Sequence, residues 1–253
     1  MSVHVRLITP ITTAGFRRKE DLAALETAGL RISLSATRTG PGSIESAYET
    51  TFSEPGTVAR IIEAEREGVD AVVVDCMADP ALQAARECVS IPVIGPSQTA
   101  MHLAAMLGHT FTVLTVLTRL RPQFENLAAI YGLRGKLAAV RAVDIPVLDL
   151  ESDIAATQAR LVAVAEKSIV EDGAHAVVFG CTGLLGCAEA VRKGLLERGY
   201  DIPVIDPIPS ALRMAALLVE GGLSHSKLTW PAPPAKPMAG YADILAPLPT
   251  AAE

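Results

Sequence analysis

Gly68-Val-Asp-Ala-Val-Val-Val-Asp-Cys76 and Gly173-Ala-His-Ala-Val-Val-Phe-Gly-Cys181 are two versions of one phrase. The same offset, 105 residues, separates Gly68 from Gly173 and Cys76 from Cys181. A run this continuous in valine and alanine suits a strand buried on both faces of a parallel sheet. The likeness continues beyond the cysteines. Each is followed by a turn of small residues and a helical stretch, 80–89 in one copy and 184–198 in the other. Then comes Ile-Pro-Val-Ile, at 91–94 and again at 202–205, and an X-Pro pair, Gly95-Pro96 and Asp206-Pro207. A helix at 99–107 or 210–219 closes each copy. The period is too long for a solenoid. It predicts two similar α/β lobes, each ending a central strand in one cysteine.

Outward from this repeat the chain keeps alternating. Strand-like runs fall at 3–8, 30–36, 69–75, 91–94, 111–115, 137–142, 174–180 and 202–205. Helical spacing appears between them, notably at 55–67, behind a cap at Ser53, and at 154–171. Such alternation predicts βαβ units and right-handed crossovers. The expected fold class is therefore α/β: two lobes with parallel sheets flanked by helices, related by a pseudo-twofold, with the active site in the cleft between them. Residues 1–97 with 209–253 are expected to form the first lobe, with a returning helix and tail, and 98–208 the second. From Leu223 on the chain is rich in proline and is read as an irregular wrap without a helix.

Composition narrows the class. The chain has 253 residues, half of them hydrophobic, and 28 acidic against 22 basic side chains, a net charge of −6. No basic stripe offers a footprint for nucleic acid. No stretch reaches the roughly 18–20 apolar residues of a membrane helix. The N-terminus lacks the charged start and apolar core of a signal peptide. Four cysteines in this length are no dense disulfide framework. The expectation is a cytoplasmic, reduced protein whose partner is a small molecule, with neither nucleic acid nor membrane. High apolar content suggests a homo-oligomer.

In parallel α/β sheets, ligands bind beyond the carboxyl ends of the strands. Cys76 and Cys181 sit there, and two facing lobes would set them on opposite sides of one cleft. Both could instead be buried packing residues, as free cysteines often are. Their duplication at one point of a repeat favours function. Cys88 and Cys187 have no such partners and fall within helices, which reads as packing. Metal-ligand spacings such as CxxC or HxxxH are absent, so no metal site is expected. No GxGxxG or GxxxxGK[ST] motif occurs, and no lysine stands in a Schiff-base context. No cofactor is expected. Opposed thiols suit acid–base work on the two faces of a flat intermediate: one thiolate removes a proton, the opposite thiol returns one, and a carbon centre inverts. A helix start after each cysteine would lower its pKa. Backbone N–H groups at Met77 and at Thr182–Gly183, with the Thr182 hydroxyl, would serve the intermediate's oxygen.

Several segments resemble the aspartate/glutamate/hydantoin racemase superfamily, and within it the hydantoin and allantoin racemase branch. They are Gly40-Pro-Gly-Ser-Ile-Glu45, Asp75-Cys-Met-Ala-Asp-Pro-Ala-Leu82 with Ala84-Ala-Arg-Glu87, Asp144-Ile-Pro-Val-Leu148, Gly180-Cys-Thr-Gly183 and Ser226-Lys227. The resemblance spans almost the whole chain. It implies a cofactor-independent, pyridoxal-phosphate-independent isomerase with Cys76 and Cys181 as its acid/base pair. It implies substrate contacts from the Thr9-Pro10-Ile11-Thr12 loop, Ser43, Met77, Thr115, Thr118, Thr182 and Gly183. Two departures stand out. The branch usually has Asn-Pro-Asn in the first loop, where this chain has Thr9-Pro10-Ile11, and paired threonines where Val116 follows Thr115. The expected substrate is a 5-substituted hydantoin or allantoin. The rivals are an acidic amino acid, a maleate-isomerase-like or decarboxylase-like reaction, and a non-catalytic binding role.

Overall fold

The computed structural model describes residues 2–234, 236, 238–241 and 243–244. The elements run β1 (Val3–Thr9), α1 (Lys19–Leu22), β2 (Leu30–Ala36), α2 (Ala47–Arg66), β3 (Ala71–Val74), α3 (Leu82–Cys88), β4 (Val93–Ile94) and α4 (Pro96–Leu107). The second series is β5 (Phe111–Thr115), α5 (Arg121–Ile130), β6 (Leu137–Ala142), α6 (Ile154–Asp172), β7 (Val177–Phe179), α7 (Ala188–Leu196), β8 (Val204–Ile205) and α8 (Pro207–Glu220). They build two four-stranded, wholly parallel sheets, ordered β2-β1-β3-β4 and β6-β5-β7-β8. The two orders are the same, so the repeat in the sequence is a repeat in topology. All residues of β3, β5 and β7 are buried, as the continuous apolar runs require.

The X-Pro pairs have a simple cause. Pro96 and Pro207 open α4 and α8, where the missing N–H costs nothing and the fixed φ suits the first turn. The final helix crosses over: Ile208, Ala211, Leu212 and Ala215 of α8 share a core with Val5 and Leu7 of β1 and Val73 of β3. Met101 and Ala104 of α4 pack into the second lobe with Phe111, Val113 and Phe179. The closing helices also pack on each other.

Three local readings need correction. The second helix begins at Ala47, not 55. Ser46, not Ser53, is its cap, its Oγ accepting the Glu49 N–H at 3.2 Å. Ser53 is instead buried inside the helix, and Pro55 is an interior proline. The next residue packs closely on the neighbouring loop: a Cβ on Gly56 would come within 2.7 Å of the Thr39 carbonyl oxygen. Cys187 caps α7 rather than lying within it; helix α5, not singled out in the sequence, is the β5–β6 crossover that the strand–helix alternation calls for.

After Gly222 the described residues contain no helix. They strap the first lobe. The Lys227 ammonium donates to the carbonyls of Arg86 (2.7 Å) and Val89 (2.6 Å), closing the C-terminus of α3 as a cation should. The Val93 N–H donates to His225 Nε2 at 2.9 Å, and Trp230 lies over the Arg86 guanidinium. The part of the expected tail beyond Ile244 lies outside the described residues. No helix among the described residues is long and apolar enough to cross a membrane.

Burial, with Arg86 and Lys227 close by, pushes His225 down to about 4. Below the ordinary histidine value of about 6.5 the unfolded chain takes up a proton that the folded one refuses, so stability rises with pH between about 4 and 6.5. Discounted for partial exposure, the effect should be about 1 kcal/mol. Asp79 and Asp206 titrate with the opposite sign in the same range, so the readout is the difference: in urea denaturation the stability of the native sequence relative to His225→Gln should fall by that amount between pH 7 and pH 4.

Candidate active site

Both cysteines lie just past the ends of equivalent strands, Cys76 after β3 and Cys181 after β7, and both line one cleft between the lobes. The cleft encloses about 470 Å³ including its mouth. Local geometry repeats around the two sulfurs. The Ala78 N–H donates to Cys76 Sγ at 3.4 Å, and the Gly183 N–H donates to Cys181 Sγ at 3.4 Å, each from two residues downstream. The residue between, Met77 or Thr182, lines the cleft in both copies, and its N–H donates to no protein group among the described residues. Gly183 is closely packed: a Cβ would sit 3.0 Å from Leu150 Cδ1 and 3.4 Å from Cys181 Sγ, so a side chain here would have to push Leu150 aside.

The two cysteine loops are joined directly. Arg17, in the loop after β1, makes a bidentate ion pair with Asp75, Nε to Oδ2 at 2.9 Å and a terminal nitrogen to Oδ1 at 3.1 Å. The same terminal nitrogen donates to the Thr182 carbonyl at 2.7 Å, across the cleft in the second lobe. The Thr182 hydroxyl returns a hydrogen bond to the Asp75 carbonyl at 3.2 Å. The ion pair is almost dry, its side chains 4% and 0% exposed.

A second pair of carboxylates fixes the loops from behind. Asp79 accepts the N–H groups of Ser97 (3.0 Å) and Gln98 (2.8 Å), tying the Cys76 loop to the start of α4. It also accepts from the Tyr131 hydroxyl of the second lobe at 2.5 Å. Gly95 must be glycine because a Cβ would fall 2.5 Å from Asp79 Oδ2. In the second lobe the carboxylate sits on the other partner: Asp206, at the start of α8, accepts the Gly186 N–H from the Cys181 loop at 2.8 Å. Burial raises both carboxyls to about 6.

The expected helix-terminus activation of the thiols is not what this geometry provides. Cys76 enters a turn in which Asp79 and Ala81 take left-handed backbone, and α3 starts only at Leu82. Cys181 caps a single 3₁₀ turn, Thr182–Leu184. Burial dominates instead. It raises the Cys76 thiol well above its ordinary range and Cys181 to about 12, although the neighbouring Arg17 charge draws Cys181 down.

Of the other sequence candidates, Ile11, Met77 and Thr182 line the cleft. Pro10 and Ser43 do not, but each is next to a residue that does, Ile11 and Ile44. Thr115 and Thr118 face a different hollow, beside β6 and α6: alternation at the end of β5 puts Thr115 opposite Val116, which takes the cleft side, and Thr118 opens the short 3₁₀ turn that follows. Thr118 donates to Asp144 at 2.9 Å. Gly183 acts through its N–H on sulfur, and the Thr182 hydroxyl is spent on Asp75. Among the contributors that the sequence did not mark are Arg17, Gln123 and Phe124. Arg17 sits in a polar stretch without periodicity. The other two lie on α5, whose one signal is Pro122 in its first turn.

The fold and cleft define a two-lobed α/β protein with paired strand-end thiols. The chain belongs to the Asp/Glu/hydantoin racemase family, whose model matches residues 5–215. It is 36% identical over 242 residues to a hydantoin racemase of Rhizobium meliloti, covering 94% of this chain and 98% of that protein. Its fold matches the allantoin racemase of Klebsiella pneumoniae with a TM-score of 0.88 at 31% identity, covering 96% of this chain and 99% of that one. A glutamate racemase from Francisella tularensis shares the fold alone, with a TM-score of 0.60 at 16% identity over 91% of this chain and 86% of that one.

Removing one member of the Arg17–Asp75 pair leaves a buried, unpaired charge, which costs on the order of 3–5 kcal/mol. Arg17→Met should lose about that much in urea denaturation, and the double variant Arg17→Met/Asp75→Leu should recover most of it. A single variant within about 1 kcal/mol of the native protein would show that the pair is not the clamp described.

Proposed function

We propose that this protein is a cofactor-independent racemase that inverts the C5 centre of a 5-substituted hydantoin, with Cys76 and Cys181 as its two acid–base residues. The observation that carries this reading is the pair of cysteines at equivalent positions of a duplicated lobe, both lining one cleft. In each turnover one thiolate takes the C5 proton and the electron pair moves onto the C4 carbonyl oxygen as an enolate. The opposite thiol then gives its proton to C5 on the other face, and the enolate electrons return. Sulfur roles are exchanged at the end, so the enzyme is ready for the opposite enantiomer. The Met77 and Thr182 N–H groups, one from each cysteine loop, are the donors we assign to the developing oxyanion.

The lining favours an apolar 5-substituent. Ile11 and Val116 occupy the positions where the branch usually carries polar side chains, and Phe16, Ile44, Leu120 and Phe124 extend the apolar wall. Allantoin, whose substituent is a polar ureido group, is the second reading; the match to allantoin racemase structures supports it. An acidic amino acid fits less well. It brings two carboxylates, while the lining contains no lysine or arginine; Arg38 and Arg119, the basic residues of the nearby loops, are not part of it. Arg17, close behind, is already paired with Asp75.

The test is deuterium exchange. In D₂O, Cys76→Ser should exchange the C5 hydrogen of one enantiomer of an apolar 5-substituted hydantoin without inverting it, and Cys181→Ser should do so for the other. A hydroxyl is a far weaker acid than a thiol, so each variant should lose racemisation by about three orders of magnitude or more. Exchange of the same enantiomer by both, or undiminished racemisation by either, contradicts the two-thiol mechanism. Activity should survive exhaustive EDTA treatment; loss restored by added zinc would contradict cofactor independence.

Raised thiol pKa values set the pH dependence. The thiolate is the minor form at neutral pH, so kcat/KM should climb from about pH 7 to about pH 9 without a plateau. A plateau beginning below about pH 7 would mean that a group other than these buried thiols is the base.

A further inference from the structure

The cleft contains one polar side chain that neither the fold nor the two-thiol chemistry uses. Its polar lining side chains are Cys76, Cys181, Asp75, Thr182 and Gln123. Both oxygens of Asp75 are held by Arg17, and the Thr182 hydroxyl is held by the Asp75 carbonyl. Gln123 is different. Its Oε1 is buried and has no hydrogen-bond partner. Burying an amide oxygen without a donor is unfavourable, and the great majority of such atoms are paired. The surroundings, Phe16, Leu120 and Phe124 among them, would suit an apolar side chain better. Position adds to this. Gln123 lies in the first turn of α5, next to Phe124, a residue only 1% exposed that anchors the helix in the second lobe's core.

Resting on the hydantoin reading above, we propose that Gln123 is the specificity-determining residue for the ring, pairing with its N3–H/C2=O edge. A primary carboxamide carries an acceptor and a donor side by side in one plane. The ring's cis-amide edge carries the complementary pair. Oε1 accepts from N3–H and Nε2 donates to the C2 carbonyl. N3 is not bonded to C5, so this grip leaves the reacting carbon and its hydrogen free to lie between the sulfurs. It also accounts for ring recognition in a cleft whose first loop and post-β5 segment have apolar residues in place of polar ones. A substrate lacking that edge would leave the Gln123 amide unpaired, which is the strongest available basis for rejecting it.

The probe is 5,5-dimethylhydantoin, which presents the ring but has no C5 hydrogen, together with its N3-methyl derivative. Both are titrated calorimetrically into the native protein, Gln123→Met and Gln123→Glu. The native protein should bind the parent ring about tenfold or more tightly than the N3-methyl ring, the scale of one buried amide pair. Gln123→Met, of similar volume, should lose that preference, binding the two rings within about threefold through weakened affinity for the parent. Gln123→Glu, which keeps an acceptor and loses the donor, should also weaken the parent ring. A preference that persists in Gln123→Met overturns the inference, as does failure of the native protein to bind either ring. Gln123-dependent binding in a protein that does not racemise hydantoins would instead contradict the catalytic reading and leave the assignment of Gln123 standing.

Discussion

Two charges taken out of water, Arg17 and Asp75, hold the site together. Asp75 follows β3 directly and precedes Cys76; Arg17 comes from the loop after β1 and reaches the Thr182 carbonyl beside Cys181. The planar fork of a guanidinium can satisfy a carboxylate and a carbonyl together, which an ammonium would do with less directionality. One side chain therefore sets three backbone segments relative to each other, and two of them carry the thiols. The copies of the repeat differ at this point. The position before the cysteine is Asp75 in the first lobe and Gly180 in the second, where a Cβ would meet Val113 Cγ1 at 2.9 Å. One carboxylate serves both loops because the guanidinium it holds also reaches the Thr182 carbonyl, and the Thr182 hydroxyl returns a hydrogen bond to the Asp75 backbone carbonyl.

Burial, nearly complete at Cys181 and partial at Cys76, holds both thiols in their neutral forms. A buried thiolate has lost its water, and a single N–H at 3.4 Å from each sulfur replaces little of it. A proton shared between two reluctant thiols suits a reaction in which each must act as acid and as base in turn. An activated nucleophile would need a persistent thiolate, and nothing in this cleft provides one.

Much of the architecture could be read from the sequence because the repeat is physical at every level. The Val-rich runs are strands buried on both faces, the X-Pro pairs are the first residues of α4 and α8, and the two cysteines mark the same strand end twice. All eight expected strands are present, several trimmed at their ends, such as 69–75 to Ala71–Val74. What escaped depends on neighbours distant in sequence. Ser53 looks like a cap only if the chain before it is a loop; Ser46 in fact caps the helix, which runs on through Pro55. Arg17 gains its meaning from Asp75, 58 residues away, and from Thr182, 165 residues away. Thr115 and Val116 are adjacent in sequence, but alternation at the strand end puts the valine in the cleft and the threonine behind it. The thiols' acidity was misjudged because it depends on burial, which local pattern does not reveal.

The central claim is that the two sulfurs act on opposite faces of one carbon, and the native enzyme can report this directly. A single protiated enantiomer of an apolar 5-substituted hydantoin is supplied in D₂O and optical rotation is followed to completion. With separate donors on the two faces, each inversion delivers a solvent-derived deuteron. The product then reacts back more slowly than the protiated substrate reacts forward, so the rotation should pass through zero, overshoot and return. A monotonic approach to zero, with the substrate's own hydrogen retained in the inverted product, would mean that one group moves the proton across both faces and would contradict the account.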